Sequence, residues 1–199
     1  MKKTFMSDTE NNRQLWLEKG YEHFALYGPK KLSINKLSKD IGLSRASFYH
    51  HFGSLDFFVE DLLARHWDII EIFNSEGKEK CNQLFPDLYD LIGDYPIPLK
   101  FTLQLFYNRS NPRFNFLLIK AYEAMAERFA LNLFANHLGL IQSEKKVYHL
   151  WLTLGEAWYS RLDPDDLSPK ALQKHSEEIL KTLSWFINSP LYSKLHKST

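Results

Sequence analysis

Apolar residues recur every three or four positions along nearly the whole chain, and the glycines and prolines, eight of each, fall between these stretches. That spacing gathers apolar side chains on one face of a 3.6-residue turn and predicts amphipathic helices; no stretch alternates with the period of two that a half-buried strand needs. The expected fold class is all-α. Ser7-Asp8-Thr9-Glu10 has the form of a capping box, and a first helix follows with Leu17, Gly20, Tyr21, Phe24 and Tyr27 on one face, ending at Gly28-Pro29. Ser33 is placed to cap a short second helix carrying Ile34, Leu37 and Ile41, which Gly42 ends in the manner of a left-handed C-cap. Ser44 is placed to cap a third helix, Arg45 to His51, and Ser54 opens a longer one through Leu55, Phe58, Leu62 and Leu63 to about Phe73. The polar run from Asn74 to Lys80 reads as a linker.

Beyond it the pattern predicts a second, larger helical layer. Segments near 83–94 and 98–110 are punctuated by Pro86, Pro96, Pro98 and Pro112, and a long helix runs from there to His137, stopped by Gly139. Leu117, Leu118, Ala121, Tyr122, Met125, Phe129 and Leu133 cover so much of its circumference that it is expected to be largely buried. A helix from Ser143 to Leu162 carries the stripe Val147, Trp151, Leu154, Trp158 and Leu162. The last helix begins at Ser168-Pro169 and presents Leu172, Ile179, Leu183 and Phe186. Three parts are expected: 1–54, a connecting helix over 55–74, and a helical domain over 75–199.

Composition narrows what such a bundle does. At 199 residues and 44% hydrophobic the chain has material for one large or two small cores. Lys and Arg number 25 against 24 Asp and Glu, a formal charge of +1, so any nucleic-acid surface must be local. The single cysteine, Cys81, forms no internal disulfide, which suits a reducing cytoplasm and excludes cysteine-rich zinc sites. No apolar region follows Lys2 and Lys3, and nowhere do about 18 apolar residues run together, so a cytoplasmic protein with no membrane partner is expected.

Candidate chemistry concentrates in the turn between the second and third helices. In Leu37-Ser38-Lys39-Asp40-Ile41-Gly42-Leu43-Ser44, Ser38 is small enough for close helix approach, Gly42 makes the sharp turn and Leu43 plugs the angle. This is helix-turn-helix chemistry, in which the second helix of the pair is offered to the DNA major groove. In the third helix Phe48 and Phe52, four apart, face inward, leaving Arg45, Ser47, Tyr49 and His50 outside as donors to phosphates and base edges. Between Gly28 and Leu55 the five cations Lys30, Lys31, Lys36, Lys39 and Arg45 face one acid, Asp40, a local excess of four in a nearly neutral chain.

Residues 13–63 resemble the DNA-binding head of the TetR (tetracycline-repressor) family of bacterial regulators. The likeness rests on Phe24 and Gly28 ending the first helix, the Ile41-Gly42-Leu43-Ser44 turn, the run Ser47-Phe48-Tyr49-His50-His51-Phe52, and Asp56 at the next helix start. Two positions depart from the family pattern. Leu55 stands where a lysine is usual, so no ammonium reaches a phosphate there, and Gly20 stands where alanine is favoured, at a propensity cost under about 1 kcal/mol. The resemblance implies a homodimer with a variable carboxy-terminal domain that holds an effector and dimerises through its last two helices.

The DNA-binding residues expected are Ser33, Asn35, Lys36, Ser44, Arg45, Ala46, Ser47, Tyr49, His50 and His51, on a double-stranded operator. Trp67, Phe106, Tyr122, Met125 and Trp151 are candidates to touch a small hydrophobic or aromatic effector. Trp151, Gly155 and Trp158 are expected in core or dimer packing, Gly155 letting a partner helix approach closely and, in a two-fold dimer, Trp158 lying near the partner's copy of the same helix pair. No cofactor, metal or enzymatic activity is expected. Adjacent His50 and His51 point about 100° apart on a helix, and the Glu-x-x-His pairs of di-iron bundles, the His-Glu-x-x-His zinc motif and Gly-rich phosphate loops are all absent.

Overall fold

A computed structural model describes residues 8–140 and 145–187. Ser7 of the capping box, Ser143 at the start of the helix expected to run to Leu162 and the side chain of Phe186 lie outside the described residues. Among the described residues every regular element is helical: α1 (Asp8–Tyr27), α2 (Ile34–Ile41), α3 (Arg45–Phe52), α4 (Leu55–Lys80), α5 (Tyr89–Gly93), α6 (Pro96–Tyr107), α7 (Pro112–Met125), α8 (Leu131–Leu138), α9 (Lys145–Tyr159) and α10 (Pro169–Ile187). A π-helical turn, Ala126–Ala130, joins α7 to α8, so the expected long helix is continuous but carries one wide turn. Gly139 ends it in the left-handed conformation. The chain forms two compact units, one through Phe73 with Ile97–Ala121, the other comprising Asn74–Pro96 and the chain from Tyr122 onward.

In the first unit the apolar faces meet as a column of rings. Phe48 of α3 is fully buried, edge-on to Trp16 of α1 and Phe58 of α4, each at 5.1 Å. Phe24 and Tyr21 of α1 stack on Phe101 of α6 at 4.2 and 4.6 Å. Gly20 is not merely a weak helix former: a Cβ there would lie 2.2 Å from the tip of the Phe58 ring, so its bare backbone makes the room that Phe58 occupies. Tyr27, expected on the inner face, lies outside at 47% exposure because α1 has reached its last turn and Gly28 turns the chain away.

A buried polar chain crosses this core. The Nδ1 of His66 lies 2.8 Å from the Tyr21 hydroxyl, and its Nε2 3.1 Å from Thr102 Oγ1. Thr102 donates its own proton to the Pro98 carbonyl at 3.1 Å, so toward His66 it can only accept. The tautomer follows: Nε2 carries the hydrogen, and Tyr21 donates to a bare Nδ1. Every member is satisfied, and burial holds the His66 pKa far down, at about 3, so the ring is neutral.

In the second unit α10 packs on α5 and α9, and α8 on α9. Trp158 is 8% exposed and its indole N–H donates to the Leu172 carbonyl at 3.0 Å, while Tyr89 hydrogen-bonds Ser176. Tyr122 stacks on Trp151 at 5.2 Å and donates to its carbonyl at 3.0 Å. Gly155 is buried beneath that phenol: a Cβ on it would lie 1.7 Å from the Tyr122 hydroxyl. Of the two placements expected for Gly155 and Trp158, core and dimer seam, the structure has the core: both face their own unit, and the dimer placement is corrected. The polar run Asn74–Lys80 is likewise no linker but the last two turns of α4, closed by a Lys80–Glu76 ion pair and held where Gly77 meets the Phe129 ring. Burial pushes the Cys81 thiol up to about 11, so it stays protonated.

Candidate nucleic-acid interface and effector residues

The turn between α2 and α3 is set by its own residues. Gly42 takes φ +70°, a left-handed conformation that side chains resist, and ends α2. The Ser38 hydroxyl donates to the Leu43 carbonyl at 2.5 Å, so Ser38 ties the two helices together as well as allowing their approach. Ser44 caps α3 by accepting from the Ser47 N–H at 3.2 Å. Ser33 differs from expectation. Its backbone is extended at the N-cap position, but the hydroxyl makes no cap bond, and α2 begins with the Leu37 N–H on the Ser33 carbonyl.

With Phe48 and Phe52 turned inward, the rest of α3 is outside: Arg45, Ala46, Tyr49 and His50 are exposed, Ser47 and His51 half-buried, and Ser44 exposed at the cap. On α2, Asn35 and Lys36 are exposed and Ser33 is half-buried. Neither helix has an acidic residue in its first turn, so both positive dipole ends are unmasked by carboxylates. Lys30, Lys31, Lys36, Lys39 and Arg45 are all exposed, and none forms an ion pair among the described residues. Lys36 holds its ammonium 4.5 Å above the Tyr27 ring, a contact sequence reasoning missed. Partial burial and the charges of His50 and Arg13 lower the His51 pKa.

The start of α4 completes this face. Ser54 caps it, accepting from the Phe57 N–H at 3.2 Å. Leu55 is half-buried, and Asp56 and Glu60 both bind Arg113, at 2.9 and 2.5 Å, which occupies the two carboxylates.

The five effector candidates are not all brought together. Trp67 and Phe106 lie in the first unit, where Lys120 sits 3.5 Å above the Trp67 ring and the Arg109 guanidinium 4.2 Å above the Phe106 ring. Tyr122, Met125 and Trp151 lie in the second unit, Tyr122 and Trp151 stacked and Met125 half-buried just before the π-helical turn. Among the described residues no group of three His, Cys, Asp or Glu side chains could hold a metal ion.

Residues 16–61 match the family model described as bacterial regulatory proteins, tetR family. The chain carries a TetR-family DNA-binding head. The match spans α1 from Trp16 through the first turns of α4 and includes every residue of the turn built above. Among solved structures, Salmonella enterica GusR is similar at 16% identity over 92% of this chain and 99% of its own, with a TM-score of 0.56. A transcriptional regulator of the TerR/AcrR family from Aquifex aeolicus VF5 is 19% identical over 88% of this chain and 99% of its own, TM-score 0.54. A tetR-family transcriptional regulator from Streptomyces coelicolor is 17% identical over 94% of this chain and 100% of its own, TM-score 0.54. At these identities the likeness establishes the fold, and it extends the TetR architecture over most of the chain. No curated protein sequence matches significantly. No described helix is long and apolar enough to cross a membrane.

Proposed function

We propose that this chain is a transcriptional regulator of the TetR family, a ligand-responsive repressor that binds a palindromic operator as a homodimer in the cytoplasm. The observation that carries the reading is the outer face of α3. Arg45, Tyr49 and His50 project from a helix anchored by Phe48 and Phe52, with no polar partner among the described residues, beside four exposed lysines that make no ion pair there. Arg45, Ser47, Tyr49 and His50 read base edges and phosphates, with Ser44 and Ala46 at the helix start, while Ser33, Asn35, Lys36 and His51 hold the flanking backbone. Two copies place their α3 helices about 34–36 Å apart, one turn of DNA. The outer faces of α9 and α10 supply the dimer contact, which the 69% exposed Trp185 of α10 favours. Tyr122 and Trp151, with the thioether of Met125, supply apolar contact to the effector in the second unit, while Trp67 and Phe106 in the first unit are covered by Lys120 and Arg109.

The test is titration of the full chain onto the duplex best enriched from a random pool, with fluorescence anisotropy as readout. Arg45→Ala is expected to lose about 1–3 kcal/mol of operator affinity with unchanged helix content. Affinity is expected to fall with salt at a log–log slope of roughly −0.9 per phosphate neutralised. A folded Arg45→Ala chain that binds its best site like the parent would refute the assignment of α3.

A further inference from the structure

Among the described residues four polar side chains are buried: His23, His66, Thr102 and Asn74. His66 and Thr102 satisfy one another, and with His23 they belong to the first unit. Asn74 is the one in the second unit. It is completely buried, and among the described residues neither its amide N–H₂ nor its carbonyl oxygen has a hydrogen-bond partner. A leucine has nearly the same volume and would carry no such penalty, whereas an unpaired buried donor and acceptor each lower stability. A buried polar group left without partners calls for a specific explanation, and a bound water or ligand is one that satisfies both a donor and an acceptor.

The surroundings indicate what that is. One turn along the same face of α4, Gly77 admits the Phe129 ring. Phe129 belongs to the π-helical turn Ala126–Ala130, where α7 widens by one residue and where Ala126 and Ala130 are also buried. Wide turns of this kind inside α-helices recur at functional sites. Among the described residues of this unit no charged side chain is buried, so an ionic ligand would find no counter-ion at this depth.

We propose that Asn74 is the polar anchor of a small-molecule site in the second unit, and that it takes a neutral ligand edge bearing a donor and an acceptor side by side, as a primary carboxamide or a lactam does. A carboxamide pairs with such an edge through two parallel hydrogen bonds, N–H of Asn74 to the ligand carbonyl and ligand N–H to the Asn74 carbonyl. Apolar contact with Phe129 and Met125 covers the rest of the molecule. The use of this site in regulation rests on the effector-responsive reading above; the site itself does not.

Benzamide is the probe, with its isostere acetophenone, which only accepts, and benzoate, which is charged. Each is titrated calorimetrically into the full-length parent and Asn74→Leu, and melting temperatures of both proteins are recorded without ligand. Benzamide is expected to bind the parent about tenfold more tightly than acetophenone, the worth of one net hydrogen bond of about 1.4 kcal/mol, and more tightly than benzoate. Asn74→Leu is expected to melt higher than the parent and to lose the preference for benzamide. Equal affinity for benzamide and acetophenone, no benzamide binding, a preference that survives in Asn74→Leu, or a lower melting temperature for that variant, as a structural water held by Asn74 would give, each overturns the proposal. Operator anisotropy with benzamide present separates the two readings. Benzamide bound through Asn74 with no change in operator affinity supports the site and refutes its use as an effector switch for this ligand.

Discussion

Tyr21→Phe removes a single oxygen from the first unit, and its effect can be worked out from the chain Tyr21–His66–Thr102–Pro98. The variant ring keeps its place on Phe101, 4.6 Å away, so packing changes little. What is lost is the donor to His66 Nδ1. Because Thr102 already gives its proton to Pro98, Nε2 must keep its hydrogen, and the ring cannot switch tautomer to relieve the vacancy. A bare acceptor on a ring with no exposed surface costs about 1–3 kcal/mol. The same oxygen is a liability once its partner is gone. In a His66→Leu background Tyr21 carries an unpaired buried hydroxyl, so Tyr21→Phe there is expected to be neutral or stabilising. Urea unfolding of the parent, the two single variants and the double variant at pH 7.5 gives the coupling, expected at about 1–3 kcal/mol with the singles worse than additive. A Tyr21→Phe cost that is the same in both backgrounds would show that the hydroxyl acts independently of His66 and would refute the chain.

The same ring makes stability depend on pH. His66 titrates near 6.5 when unfolded and at about 3 when folded, so the unfolded state binds the extra proton between those values; stability is complete above about pH 6.5 and lost as pH falls toward 3. The slope from this group is about 1.4 kcal/mol per pH unit, with His23 and His51 adding in the same direction; urea midpoints at pH 7 and 5 are expected to show it, with a shallower slope in His66→Leu. Gly20→Ala improves helix propensity by about 1 kcal/mol yet is expected to destabilise overall, by roughly 1–2 kcal/mol, because its Cβ meets Phe58; a higher thermal midpoint would refute the fit. Gly155→Ala is expected to cost about 1–3 kcal/mol as measured by chemical unfolding, with recovery in a Tyr122→Leu background that removes the phenol; no recovery would place the conflict elsewhere, at a subunit contact.

What was legible in the sequence was local. The α2–α3 turn could be read because Ser38, Gly42, Leu43 and Ser44 act on backbone within a few residues of themselves, and the inward pair Phe48 and Phe52 follows from helical spacing alone. The features that escaped depend on residues far along the chain. Asn74–Lys80 is polar enough to resemble a linker, and only its distant contact, Phe129 against Gly77, shows why it stays helical. A glycine within a helix signals either lost propensity or room for a neighbour. Nothing near Gly20 or Gly155 names Phe58 or Tyr122 as that neighbour. His66 follows Leu62 and Leu63 by about one turn of α4, and neither Tyr21 nor Thr102 can be anticipated from its neighbours as its partner.

The surface proposed to face DNA and the unit that holds it in shape have different extents. The expected contacts fall between Ser33 and His51, but the core beneath them is completed from outside that range: Phe58 against Phe48, Phe101 against Phe24, and His66 between Tyr21 and Thr102. A chain ending at Ser54 would expose Trp16, Phe24, Phe48 and Phe52 together, and a fragment of that size has little other apolar surface to bury. The position of α3 is therefore an outcome of packing with α1, which is itself gripped by α4 and α6. Two kinds of substitution in the first unit then differ in principle. One on the outer face of α3 is expected to alter which bases are preferred. One at Phe101 or Thr102 leaves those side chains untouched and acts on the fraction of chains in which α3 is correctly held, so it weakens binding to every DNA sequence by the same factor.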